Sequence, residues 1–350
     1  MELSYERIGR DNGLNLIRLF LAVLVIVSHA YPIGGFGPDP ALGDLGLGSL
    51  AVGGFFAISG YLITKSRFRT GFRQFALRRA LRIFPGYWVC LIFTAFIAAG
   101  LTGLIRGGWA LTEGVQFVAL NVPMIRAGGN DIGTTLAGLP YPEAWNGSLW
   151  TLRYEVLCYV ATGVALTFAF IRRHRVLIPI AFTAVTACSL FVHLRGMDGV
   201  VADFALLAPF FLAGATIYVY AEKIPCSGWL ALLSVTLFIS AVATGNGRSL
   251  AALPLAYLFL WLGIVLPKAM GRIAAENDFS YGTYLYAFPV QQLLVIAGAH
   301  HLGVVPYIVL SIASTAPLAA LSWFLVERPA NRLGRPRRVR ALSAARVPAL

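Results

Sequence analysis

Charge is scarce in this sequence, and acidic charge is the scarcest. Only 15 Asp and Glu stand against 28 Lys and Arg in 350 residues, 12% of residues are charged and 58% are hydrophobic. A soluble chain of this length would leave too much apolar surface in water to stay dispersed. The four cysteines, Cys90, Cys158, Cys188 and Cys226, have no metal-ligand spacing, and three of them read as small packing residues in apolar runs. There is no zinc motif, P-loop or dinucleotide fingerprint, so no metal site is expected. The apolar runs are continuous rather than alternating, which excludes a β-barrel. No small-residue cleavage site follows the first apolar run, no internal period of roughly twenty to fifty residues recurs, and no further soluble domain is expected at either end.

What the chain does have is apolar runs of membrane-spanning length from one end to the other. We expect an all-α, polytopic transmembrane helical bundle of about ten spans. The spans are placed at residues 14–32, 50–65, 83–105, 149–171, 176–193, 201–221, 228–244, 249–267, 279–299 and 304–326. With the N-terminus in the cytoplasm, 22 of the Lys and Arg fall on the inner side and 4 on the outer side. That bias predicts both termini inside. It also explains the formal net charge of +13 as topology, so nucleic acid is not an expected partner. Residues 1–330 read as one membrane domain, and 331–350 as a basic, disordered cytoplasmic tail.

The first span carries Arg18 and His29 with only apolar residues and Ser28 between them. Eleven steps of about 100° come within about 20° of three turns, so the two share one stripe of a helix, about 16 Å apart. Ionisable residues at that depth are functional candidates. A histidine there can accept a proton from a hydroxyl. The plainer alternatives are a core histidine bonded to a carbonyl and an arginine snorkelling to headgroups. The fourth span opens with Ser148 and Trp150 and carries Glu155 inside its apolar run. A carboxylate there must be protonated, paired or wet. We expect it to meet a group on another span, with His29 and Arg18 the obvious candidates. Arg153 is two residues away on a different face.

Two loops stand out. The inner one, 65–82, holds seven cations and no carboxylate, and six of the seven are arginines. That density suits phosphate as well as anionic lipid. Its second half, 72–84, is expected to form an amphipathic helix on the membrane surface. The outer loop, 106–147, is rich in Gly and Pro, with an apolar stretch at 111–125 that reads as a re-entrant or surface helix. A long outer loop suits a lid or substrate entrance.

Taken in order, these pieces resemble the acyltransferase-3 family of integral-membrane O-acyltransferases. The resemblance rests on Arg18 and His29, GGFFAISGYLIT (53–64), FALRRALRIFPGYW (75–88), SLWTLRYEVLCY (148–159), FSYGTYLYAFPV (279–290) and VERPANR (326–332). It implies transfer of an acyl group, usually acetyl, from cytoplasmic acetyl-CoA to a hydroxyl of a glycan or a small molecule such as a macrolide-type metabolite. It further implies a multi-pass protein of a bacterial inner membrane, in contact with membrane lipids and without a permanently bound cofactor. On this reading His29 is the general base and Glu155 tunes it. Arg78, Arg79 and Arg82 hold CoA phosphates, Arg18 meets the donor at the mouth of the bundle, and Ser148 and Trp150 bind the acceptor. One departure stands out: relatives commonly place a histidine where this chain has Ala287, so that residue's role is not carried over. The competing reading is a multi-pass transporter or exporter, weakened by the absence of an inverted repeat.

Overall fold

The computed structural model describes residues 13–124, 131–266 and 277–334. It is a helical bundle whose strands, among the described residues, are two short antiparallel segments, Ala41–Leu42 and Leu45–Gly46. The principal helices are α1 (Leu14–Gly34), α2 (Leu47–Arg69), α3 (Phe72–Arg106), α4 (Leu111–Asn121), α5 (Trp150–Ala165) and α6 (Leu177–Leu194). They continue with α7 (Val200–Val219), α8 (Gly228–Ala243), α9 (Ala252–Val265), α10 (Ser280–Ile296) and α11 (Val304–Leu333). Each of the ten expected segments holds a helix, and six of these helices (α1, α2, α3, α6, α7 and α11) are long and apolar enough to cross a membrane. The last four residues of the described chain finish α11 and the turn after it, and the rest of the expected tail, like residues 1–12, lies outside the described residues.

The cationic segment 65–82 departs from expectation. α2 runs through Arg69 and α3 starts at Phe72, so only Thr70 and Gly71 connect them. α3 then passes without interruption into the apolar run, so 72–84 forms the first turns of one long helix and not a separate surface helix, while Lys65, Arg67 and Arg69 lie in the last turns of α2. Pro85 does not end it: inside an apolar bundle the helix remains the cheapest way to satisfy the backbone on either side of a proline. The 111–125 stretch contains the short helix α4, as expected.

Small residues set the core. α2 and α7 approach so closely that a Cβ on Gly60 would collide with the Phe211 carbonyl oxygen, and one on Gly214 with the Ala57 carbonyl oxygen. Backbones can meet in this way only across glycine. α10 is the most completely buried helix of the bundle and packs against α1 and α11. Pro289 lacks an N–H, which frees the carbonyl of Leu285 one turn earlier. The long loop before α5 supplies the missing donor: Asn146 Nδ2 donates to Leu285 O at 2.9 Å, joined by the Cys90 thiol at 3.2 Å. Two further donations fix that loop, from Gln292 Nε2 to Tyr141 O (2.8 Å) and to Ala144 O (2.9 Å). Trp145 is fully buried within it and donates to Thr135 Oγ1 at 2.8 Å. The loop is thus packed into the bundle over one half of α10.

Candidate active site

The two ends of the bundle are built differently. At the end where α1, α3 and α10 begin and α11 finishes, four charged side chains meet. Asp278 Oδ2 accepts from Arg18 Nη1 and from Arg82 Nη2, each at 2.6 Å. Its other oxygen accepts from the Ser280 hydroxyl at 2.5 Å and the Ser280 amide at 3.3 Å. Arg82 Nη1 reaches Glu327 Oε2 at 3.5 Å, and Ser322 donates to Glu327 Oε1 at 2.9 Å. The Glu327 side chain is fully buried, and a π-helical turn over Trp323–Glu327 brings it there. Burial by itself would raise the Asp278 carboxyl, but the guanidiniums of Arg18 and Arg82 more than offset this and hold it below the usual carboxylate range.

Beside this network a narrow cleft of about 30 Å³ is lined by Arg18, Phe55, Thr151, Glu155, Tyr281 and Tyr284, among others. It is the size of a water site rather than of a ligand pocket. Glu155 Oε1 accepts from Ser59 Oγ at 2.9 Å and from Tyr159 Oη at 2.5 Å. Glu155 therefore shares the cleft with Arg18, as expected of one of its two candidate partners, but its hydrogen bonds go to Ser59 and Tyr159 and none to His29. Arg153 does lie on another face, bonded to Tyr154 Oη at 2.7 Å and 3.7 Å from Asp203.

Of the three arginines of the RRALR stretch, only Arg82 joins the carboxylate network. Arg78 Nε donates to Gly334 O at 3.2 Å, and the covered Nε of Arg79 has no partner among the described residues.

His29 sits toward the other end of α1. Its ring meets the Phe288 ring edge to face at 5.1 Å, and its covered Nδ1 has no hydrogen-bond partner among the described residues. The exposure that the residue keeps is thus not at Nδ1. Phe288 also contacts Tyr141 and lies where a Cβ on Gly147 would fall, so the packed loop reaches the histidine through this one ring. The preceding residue, Ser28, donates to Asp39 Oδ1 at 2.6 Å, and Asp39 Oδ2 accepts from the Gly48 amide at 3.3 Å, tying α1 to the first turn of α2. Ala287 is fully buried in α10.

Ser148 and Trp150 part company. The Ser148 hydroxyl is buried without a partner among the described residues, while its carbonyl accepts from Tyr284 Oη at 2.8 Å. Trp150 is half-exposed on the wall of a different cavity. Asp278, Glu327, Ser59 and Tyr159 were not singled out by sequence reasoning. Tyr159 was within reach, four residues after Glu155 on one helix. The carboxylates were not, because their partners lie 260 and 245 residues away in the chain.

A family model described as an acyltransferase domain matches residues 11–325. The chain belongs to the acyltransferase-3 family. This acyltransferase is 32% identical over 330 residues to the O-acetyl transferase of Shigella phage Sf6, an alignment covering 91% of this chain and 96% of the relative. It is 27% identical to Nodulation protein 10 of Rhizobium leguminosarum bv. viciae, covering 96% of this chain and 98% of that one. It is also 27% identical to the exopolysaccharide production protein ExoZ of Rhizobium meliloti strain 1021, covering 86% and 95% respectively. No solved structure matches the acyltransferase. With its apolar helices, the family makes it a multi-pass membrane protein.

Proposed function

We propose that this membrane O-acetyltransferase takes its acetyl group from acetyl-CoA at the arginine-rich end of the bundle and delivers it to a carbohydrate hydroxyl at the loop end. The arginine-rich end faces the cytoplasm of a bacterial cell, with both termini on that side. The observation that carries the reading is the arrangement of α1. Arg18 stands in a four-charge network at one end, and His29, with a ring nitrogen unpartnered among the described residues, stands eleven residues further along the same helix. The names of the phage O-acetyl transferase and of the exopolysaccharide production protein support the acetyl group and the carbohydrate class.

Arginine forks suit the diphosphate and phosphate of CoA, and this end of the bundle offers Arg78 and Arg79 outside the carboxylate network and Arg18 and Arg82 within it. The extended pantetheine arm enters past Arg18 and Glu155 and must widen the narrow cleft between them. Glu155, fixed by Ser59 and Tyr159, then serves the passage as a positioning residue. At the far end, His29 takes the proton of the acceptor hydroxyl as its oxygen attacks the thioester carbonyl. The C–S bond breaks, an ester forms, and the thiolate leaves with the proton that the imidazole carries. Ser148, whose hydroxyl is uncommitted among the described residues, is an acceptor contact on the same path.

Purified protein in detergent with radiolabelled acetyl-CoA tests this. The reading expects CoA release that rises with acceptor, and an apparent KM for acetyl-CoA raised in Arg79→Ala and Arg82→Ala. A transporter needs a sealed compartment, and label that moves only across vesicles without thioester cleavage would overturn the assignment.

A further inference from the structure

At the loop end, beside the first turn of α2, lies a second cavity of about 140 Å³. Its walls differ from those of a lipid-facing crevice. Trp150, 42% exposed, forms one side, Asp203 and Arg248 supply opposite charges, Ser49 adds a hydroxyl, and Leu207 and Phe210 make an apolar floor. The charged groups are held in place. Asp203 Oδ2 accepts from Tyr154 Oη at 3.1 Å and faces Arg153 at 3.7 Å, yet the side chain keeps 39% of its exposure. Arg248 is anchored through its Nε to Asp44 O at 2.8 Å and through its amide to Asp44 Oδ2 at 3.0 Å. Trp150 is braced edge to face against Tyr154, ring centroids 5.7 Å apart. An interfacial-belt tryptophan faces lipid; this one faces a cavity that holds a carboxylate and a guanidinium.

An aromatic plane beside a fixed carboxylate and a fixed guanidinium matches the two faces of a pyranose. The C–H face of the sugar packs on the indole, and its hydroxyls donate to the carboxylate and accept from the guanidinium. We propose that this cavity is a carbohydrate subsite that holds a sugar next to the one being acetylated. Its place supports that role. Ser49 lines the cavity, while the adjacent Gly48 is so close to Ser28, the neighbour of His29, that a Cβ there would lie 2.6 Å from the Ser28 hydroxyl. The first turn of α2 therefore stands between the cavity and α1 at the residue before His29, whose own ring is turned to Phe288. A single sugar cannot occupy both places, whereas consecutive units of a glycan can. The subsite thus makes the enzyme selective for an oligomeric or polymeric acceptor.

The inference rests on the acetyltransferase reading, and the test separates the two. The probe is the surface polysaccharide of the source organism, prepared from cells lacking the gene and de-O-acetylated, together with its single repeating units. Purified wild type, Trp150→Ala, Trp150→Phe and Asp203→Asn are compared, with gel filtration in detergent to verify folding. In Trp150→Ala and Asp203→Asn the ratio of polysaccharide KM to acetyl-CoA KM is expected to rise at least about tenfold, which is the loss of one good contact. The advantage of polysaccharide over single repeating units narrows with it, and Trp150→Phe restores most of both. Ratios within about twofold of wild type, where wild type transfers acetyl to the polysaccharide, overturn the subsite alone. His29-dependent thioester cleavage without transfer to the polysaccharide also overturns it. Wild-type protein that cleaves acetyl-CoA no faster than detergent without protein, with or without polysaccharide, defeats the acetyltransferase reading, and the subsite falls with it.

Discussion

The two ends of α1 are held by opposite kinds of chemistry. Around Arg18 everything is charge: two guanidiniums and two carboxylates, drawn from α1, α3, the residue pair before α10 and the last turns of α11, with serines completing the carboxylates. The contacts of the His29 ring itself are neutral: an aromatic edge, beside a loop fixed by side-chain amides donating to carbonyls, and a ring nitrogen with no partner among the described residues; the neighbouring carboxylate, Asp39, is taken up by Ser28. Buried ion pairs contribute little net stability and are costly to break, so a cluster of them is weak evidence for stability as its purpose. The four charges of the network cancel, and Arg78 and Arg79, which stand outside it, give this end the excess positive charge that suits a polyanionic donor, while the neutral contacts of the His29 ring suit an uncharged hydroxyl. The contrast teaches that one helix carries two different tasks at its two ends.

The largest effect should come from the neutral end. His29→Ala is expected to lower acetyl transfer by about 100- to 10,000-fold, the usual worth of a general base, with folded protein and a nearly unchanged acetyl-CoA KM. A loss confined to that KM would merge the two ends into one donor site. At the charged end Arg82→Ala should show as stability first: it strands the buried Glu327 and halves the pairing of Asp278, a cost of about 3–5 kcal/mol. Thermal unfolding in detergent checks this, with Arg82→Lys expected to fall between the two. Away from both ends, Gly60→Ala should destabilise by about 1–3 kcal/mol through the contact with the Phe211 carbonyl, while altering donor and acceptor KM alike by little.

The smallest effect is one of pH. Asp278 is held below its ordinary value, so its contribution to stability is present in full above the ordinary Asp range near about 4 and fades as pH falls below it. Wild-type thermal stability should therefore decline more steeply below about pH 4 than that of Asp278→Asn, and parallel curves would remove Asp278 from the account.

Much of the bundle was legible in the sequence because apolar length and helical spacing are local properties. Arg18 and His29 could be assigned to one stripe of one helix from eleven residues of spacing. Glu155 could be marked as needing a partner, but the partner on α2, Ser59, is 96 residues away and no spacing rule reaches it. The separate surface helix expected over 72–84 failed for a related reason. Its amphipathic pattern was read alone, whereas no chain break separates it from the apolar run that follows. Asp278 and Glu327 stayed hidden because they sit at helix ends, where an acidic residue ordinarily needs no explanation. Only the convergence of four helix ends gives them partners.

Sealed vesicles give the most direct measurement, with radiolabelled acetyl-CoA enclosed and the de-O-acetylated polysaccharide supplied only outside. The account predicts labelled polysaccharide in the external medium, lost in both Arg18→Ala and His29→Ala. Label appearing only when donor and acceptor share one compartment would contradict it.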